Sequence, residues 1–154
     1  MADFFERIVI LKRAPIFTEV STDDVRVVVE QMQEEVYFKG EHVFDIADPP
    51  DRMYVVLTGK IGISLHQDPK VADYVGTVGP GECFGEMGPI DGQPRSGSAH
   101  VLDDARLLWL DKLKLHGLIA SYPELGLGLM RGISMRLRAA GERIAALQQA
   151  SRKN

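Results

Sequence analysis

Across residues 35–111 the chain is cut into short stretches by Gly, Pro and Asp, and this punctuation removes more folds from consideration than any other feature of the sequence. Turn residues fall at Asp48-Pro49-Pro50, Thr58-Gly59, Gln67-Asp68-Pro69, Val78-Gly79-Pro80-Gly81 and Asp103-Asp104. Proline offers no N–H to a helix or a sheet ladder, and glycine turns at positive φ without steric cost. The segments between alternate apolar with polar residues and are rich in β-branched and aromatic side chains, which predicts strands at 36–39, 42–46, 53–58, 61–65, 74–78, 97–102 and 107–110. Many short strands at this spacing belong to a sandwich or a jelly roll.

The flanks read differently. Residues 3–11 are amphipathic and stop near Pro15, and Ser21-Thr22-Asp23-Asp24 caps a second helix with Val25, Val28, Val29 and Met32 along one face. Beyond the strands, Asp111 can cap a helix through Ile119, and Pro123 can open a last one that runs to about Gln149. Along it Leu129, Ile133, Leu137, Ala140, Ile144 and Leu147 step by three or four, a heptad-like stripe suited either to its own sheet or to a second copy. Residues 150–154 read as a frayed tail. The fold class expected is mainly β with flanking helices. One domain is expected over 1–154, with helices in 1–34, strands in 35–111 and helices again in 112–150.

Composition narrows the function. A 154-residue chain that is 45% hydrophobic can bury an ordinary core without staples, and its one cysteine, Cys83, excludes an internal disulfide framework. The acidic N-terminus suits no signal or transit peptide, and no apolar run is long enough to span a membrane, so a cytoplasmic protein with no membrane partner is expected. A net charge of −4 argues against a nucleic-acid surface as the main business of the chain. His42, His66, His100 and His116 show neither the i, i+4 spacing nor the set of neighbouring carboxylates and cysteines that marks a metal site, so no metal is assigned. No nucleophile stands near a base and an orienting acid, so no catalytic residue and no enzyme activity are expected.

Chemistry concentrates in residues 81–97. Gly81-Glu82-Cys83-Phe84-Gly85-Glu86-Met87 leads through Pro89 to Gln93-Pro94-Arg95-Ser96, bringing one carboxylate, one guanidinium and one hydroxyl around a glycine turn. Gly85 permits close backbone approach to a ligand, and the residues after it can open a helix whose free N–H groups attract an anion. Arg95 can fork two donors onto phosphate oxygens, with the Ser96 hydroxyl beside it. Glu86 would repel a phosphate and therefore suits neutral hydroxyls, which it can accept from. An anion holder and a diol holder in one cassette describe a pocket for a phosphorylated ribose. Cys83 beside Phe84 reads as a packing residue.

At these residues the chain resembles the cyclic nucleotide-binding domain family, whose cassette runs Gly-Glu, a few apolar residues, a short loop, then Arg followed by Ser, Thr or Ala. Phe38-Lys39-Gly40-Glu41 with Val43-Phe44, and the run from Asp51 through Thr58-Gly59 to Ile61, resemble the family's early strands. The resemblance covers roughly residues 8–147. It implies an eight-stranded β-roll, a double-stranded β-helix of jelly-roll type, between N-terminal helices and a C-terminal helical segment. It also implies a regulatory sensor: Glu86 on the ribose, Arg95 on the cyclic phosphate with Ser96 and the Gly85 backbone, and Ile63, Val75 and Met87 as apolar walls. The ligand implied is cAMP, with cGMP left open, and no further cofactor. The last helix would close over the purine and relay occupancy, and could form a homodimer seam.

Four departures from the family pattern stand out. Ala47 replaces a turn glycine, Pro89 lies inside the cassette's short helix, Gly97 replaces a small alanine, and Ala140-Gly141, where the last helix meets the purine, have no side-chain donor. Arg136 and Arg138 read as a solvated face rather than as base-stacking groups. The chain stops soon after the last helix, so direct DNA binding is not expected. The rival readings are a degenerate, ligand-free roll acting as a dimerisation or interaction module, a roll for another anionic effector, and the regulatory input of a larger channel, kinase or transcription factor.

Overall fold

Asp3 and Ser21 start the first two helices as their types require. The Asp3 side chain accepts from the Glu6 amide while Glu6 reaches back to the Asp3 amide, opening α1 at Phe4–Arg13. Ser21 accepts from Asp24 N and opens α2 at Thr22–Gln31. A single 3-10 turn, Pro15–Phe17, joins them. This computed structural model describes residues 2–153.

Among the described residues six antiparallel strands follow: β1 Gln33–Tyr37, β2 His42–Phe44, β3 Arg52–Ser64, β4 Tyr74–Val78, β5 Cys83–Phe84 and β6 Ser98–Asp111. A short helix, α3 Met87–Asp91, interrupts them between β5 and β6. The order is β1-β6-β3-β4, with β2 also on β6 and β5 also on β3. Six strands stand where the resemblance implied eight: β3 and β6 each span two of the seven segments the sequence predicts, and β5 is an addition to them. Gly59, at φ 96°, bends β3 without ending it, and a Cβ there would lie 2.5 Å from the Asp104 carbonyl oxygen of β6. The pairing of β3 with β6 shifts register on either side of that bend, as a bulge does, which curls the ladder into a roll. β1 also starts earlier than predicted, at Gln33.

The two faces of this ladder feed two cores. Met53, Val55, Leu57, Leu108 and Leu110 turn outward onto the helices, among Leu11, Phe17, Val25, Val28 and Leu115. Tyr54, Val56, Phe84, Val101 and Leu107 turn inward and fill the roll. Strand residues alternate faces, so a strand buried on both reads as a continuous apolar run, as 53–57 does.

Asp111 accepts from Lys114 N and opens α4, Lys112–Ser121; Pro123 opens α5, Pro123–Lys153. The predicted tail is therefore helical through Lys153. Gly128 lets α5 cross the 3-10 turn closely, since a Cβ there would stand 2.1 Å from the Ile16 carbonyl oxygen. Past that crossing the stripe loses its cover: Leu129 is buried, whereas Leu137, Ile144 and Leu147 are 72%, 57% and 70% exposed.

Candidate functional site

Between the roll and α5 lies a cavity of about 440 Å³, large enough for a mononucleotide-sized ligand. Its floor is the cassette. β5 ends at Phe84, Gly85 turns the chain at φ 73°, and Glu86 leads into α3, whose third residue is Pro89, where no backbone N–H is needed. All seven residues singled out in the sequence, Ile63, Val75, Gly85, Glu86, Met87, Arg95 and Ser96, border this one cavity. Val75 and Met87 are half exposed at its rim, as suits walls rather than core.

Arg95 is 6% exposed and deeply seated. Its Nη1 donates to the Gly85 carbonyl and its Nη2 to the Arg52 carbonyl, each at 2.6 Å, while the guanidinium lies 4.1 Å over the Phe44 ring. Burial lowers its pKa from the ordinary guanidinium value, against which Tyr54, Asp51 and Asp48 act. Gly85 leaves room for this arrangement, because a Cβ there would press within 3.0 Å of Arg95 Nη1 and 3.2 Å of Phe44. Arg95 and Glu86 are not paired with each other.

Glu86 is instead held by α5. Arg136 Nη1 forms an ion pair with Glu86 Oε1, and Arg136 Nη2 donates to the Cys83 carbonyl at 2.9 Å. Farther along α5, Arg143 donates to the Val75 carbonyl of β4 at 3.1 Å. Arg136, Ala139, Ala140 and Arg143 close the cavity from above. Arg136 thus corrects its sequence assignment as a solvated side chain; it is half exposed yet anchored at both ends of its guanidinium. Its partner lies fifty residues away in sequence, and an arginine on a polar helix face carries no local mark of such a contact.

Two buried polar atoms at this site have no protein partner: the acceptor Glu86 Oε2 and the donor Arg95 Nε. Buried polar atoms are ordinarily paired, and an unpaired acceptor and donor beside one cavity match a ligand that offers hydroxyls to one and negative charge to the other. Cys83 supplies only its carbonyl, as burial and the neighbouring Glu86 push its thiol pKa upward and keep it protonated.

A roll, a glycine-turned cassette and a helix closing the mouth define a small-effector-binding module. The chain belongs to the cyclic nucleotide-binding domain family, whose sequence model matches residues 34–122. It is 31% identical over 138 residues to a CRP-like cAMP-activated global transcriptional regulator of Mycobacterium tuberculosis, an alignment covering 90% of this chain and 62% of that protein. The crystal structure of the Thermus thermophilus catabolite activator protein superposes with a TM-score of 0.80 at 29% identity, covering 88% of this chain and 63% of that one. A cyclic nucleotide-binding domain from Methylobacillus flagellatus matches with a TM-score of 0.75 at 29% identity, covering 92% of this chain and 82% of that one. The chain spans less than two thirds of the curated relative's length. No helix among the described residues is long and apolar enough to cross a membrane.

Proposed function

We propose that this chain is a non-catalytic cAMP sensor in which one carboxylate connects the ligand to the output helix. The observation that carries this reading is the division of Glu86: Oε1 is bound to Arg136 of α5 while buried Oε2 is left without a partner. Oε2 accepts from the ribose hydroxyl. Arg95, with its free Nε and with Ser96 and the Gly85 backbone beside it, takes the cyclic phosphate. Ile63, Val75 and Met87 supply the apolar walls. Binding then favours the arrangement in which α5 lies across the cavity, to the extent that affinity differs between its closed and open positions. Ala139 and Ala140 at the lid offer no side-chain donor, and Arg136 and Arg143 beside them already donate to Glu86 and to the Cys83 and Val75 carbonyls, so the purine is held by packing, and cGMP competes more closely than a lid that hydrogen-bonds the base would allow.

The exposed part of α5 adds a second role. Leu137, Ile144 and Leu147 present an apolar seam beyond the roll, which we assign to a homodimer contact with the same helix of a second copy.

A different reading rests on Arg95, whose two terminal nitrogens already donate to backbone carbonyls. On that reading the roll is ligand-free and α5 alone matters, as a dimerisation module. Calorimetric titration of nucleotide-stripped protein with cAMP and cGMP, beside Arg95→Ala, separates the two. Saturable binding that is lost in Arg95→Ala supports the sensor. No heat and no thermal shift with either nucleotide supports the dimerisation module.

A further inference from the structure

Behind the floor of the cavity a line of polar side chains crosses three strands and ends on Arg95. Strand register makes it: Arg52 of β3 pairs with Asp111 of β6 and Glu35 of β1 pairs with Leu107, which sets both diagonal to Trp109 on one face of the sheet. The Arg52 guanidinium lies 3.7 Å over the Trp109 ring, and its Nη1 donates to Glu35 Oε1 at 3.1 Å. Glu35 Oε2 in turn accepts from the Tyr37 hydroxyl at 2.6 Å, and burial pushes the Tyr37 pKa upward, which keeps that hydroxyl a donor. Tyr37, Glu35, Arg52 and Trp109 all lie outside the lining of the nucleotide cavity.

Arg52 is the member that reaches the site. Its carbonyl accepts from Arg95 Nη2 at 2.6 Å and, together with the Gly85 carbonyl on Nη1, holds both terminal nitrogens of the buried guanidinium. The remaining nitrogen, Nε, is the one left buried without a partner. A planar group held at both ends cannot turn freely, so the place of the Arg52 carbonyl sets the direction in which Arg95 offers its other N–H groups. Arg52 is also the first residue of β3, and its side chain adds to the ladder a stacked ring and an ion pair. Both contacts use a delocalised planar cation, which lysine does not imitate.

We propose that Arg52 is a positioning residue for the anion, acting through its backbone carbonyl on Arg95 and itself set in place by Trp109 and Glu35. The role rests on the assignment of Arg95 to the cyclic phosphate. A phosphate that draws the Arg95 guanidinium toward itself pulls on the Arg52 carbonyl, and the stack on Trp109 shifts with it. Trp109, the one tryptophan of the chain, then reports the occupancy of a cavity that it does not line.

Calorimetric titration of the nucleotide-stripped full chain with cAMP, beside tryptophan emission, tests the role. The Arg52 side chain is 33% exposed, so Arg52→Lys leaves both cores intact while it keeps the charge and loses the stack. Trp109→Phe keeps an aromatic face and Trp109→Leu does not; urea denaturation checks the fold of each variant. The expected Kd is about tenfold weaker in Arg52→Lys and in Trp109→Leu, close to the parent's in Trp109→Phe, and no weaker in Arg52→Lys with Trp109→Leu than in either alone. Saturating cAMP changes Trp109 emission in the parent chain and leaves it unmoved in Arg52→Lys. Parent-like affinity in Arg52→Lys, equal losses in Trp109→Phe and Trp109→Leu, or unmoved emission in a saturated parent chain overturns the role and leaves the sensor standing. Absence of cAMP binding to the parent chain overturns both.

Discussion

At the scale of single residues, backbone geometry makes one departure from the family pattern measurable. Ala47 has φ 72°, the one positive value at a non-glycine among the described residues, and its amide donates to the Arg95 carbonyl. A left-handed alanine costs about 1–2 kcal/mol, of which glycine's extra freedom in the unfolded chain takes back a part. Ala47→Gly therefore stabilises the fold by about 0.5–1 kcal/mol in urea denaturation. Gly97 departs from the pattern for a packing reason, since a Cβ there would approach the Ser64 carbonyl oxygen to 2.7 Å. Glu86 and Arg95 were legible in the sequence because a charged pair around a glycine turn has few structural uses. Their partners were not: Arg95 was expected to face phosphate alone, yet two backbone carbonyls already hold its guanidinium ends.

At the scale of elements, helix caps and strand composition were readable because their causes are local. Asp3, Ser21, Asp111 and Pro123 each open the helix that the sequence predicts. Strand limits were less readable. β5 is two residues long, too short to alternate, and β3 and β6 continue through turn signals because a bulge can absorb a glycine that elsewhere ends a strand. Helix α5 crosses the 3-10 turn where Gly128 meets Ile16. Gly128→Ala gains about 1 kcal/mol of helix propensity but drives a methyl group into backbone. A net loss of about 2 kcal/mol is expected in chemical denaturation. On the proposed function, the same variant is expected to bind cAMP more weakly in calorimetric titration, as a displaced α5 would loosen the Arg136 contact to Glu86.

At the scale of the whole molecule, the roll and the first turns of α5 are packed into buried cores, and the rest of α5 is not. Two apolar cores hold the sheet and the N-terminal helices, while α5 beyond Leu129 exposes Leu137, Ile144 and Leu147 and is hydrogen-bonded to the roll through Arg136 and Arg143. The heptad-like stripe was visible in the sequence, but whether it would turn to its own sheet or outward depends on how far the roll reaches. The parent chain is expected to sediment as a dimer in analytical ultracentrifugation, and Leu137→Glu with Ile144→Glu as a monomer with unaltered β-sheet circular dichroism. An unchanged sedimentation coefficient would remove α5 as the seam.

If Glu86 couples the cavity to α5, amide hydrogen exchange across residues 131–149 responds to saturating cAMP. Slower exchange in this segment on binding is predicted, together with a clear reduction of that effect in Arg136→Ala, whose affinity falls about tenfold as one charge-assisted contact to Glu86 is lost. Full occupancy of the parent chain by cAMP with exchange in α5 unchanged would contradict the account.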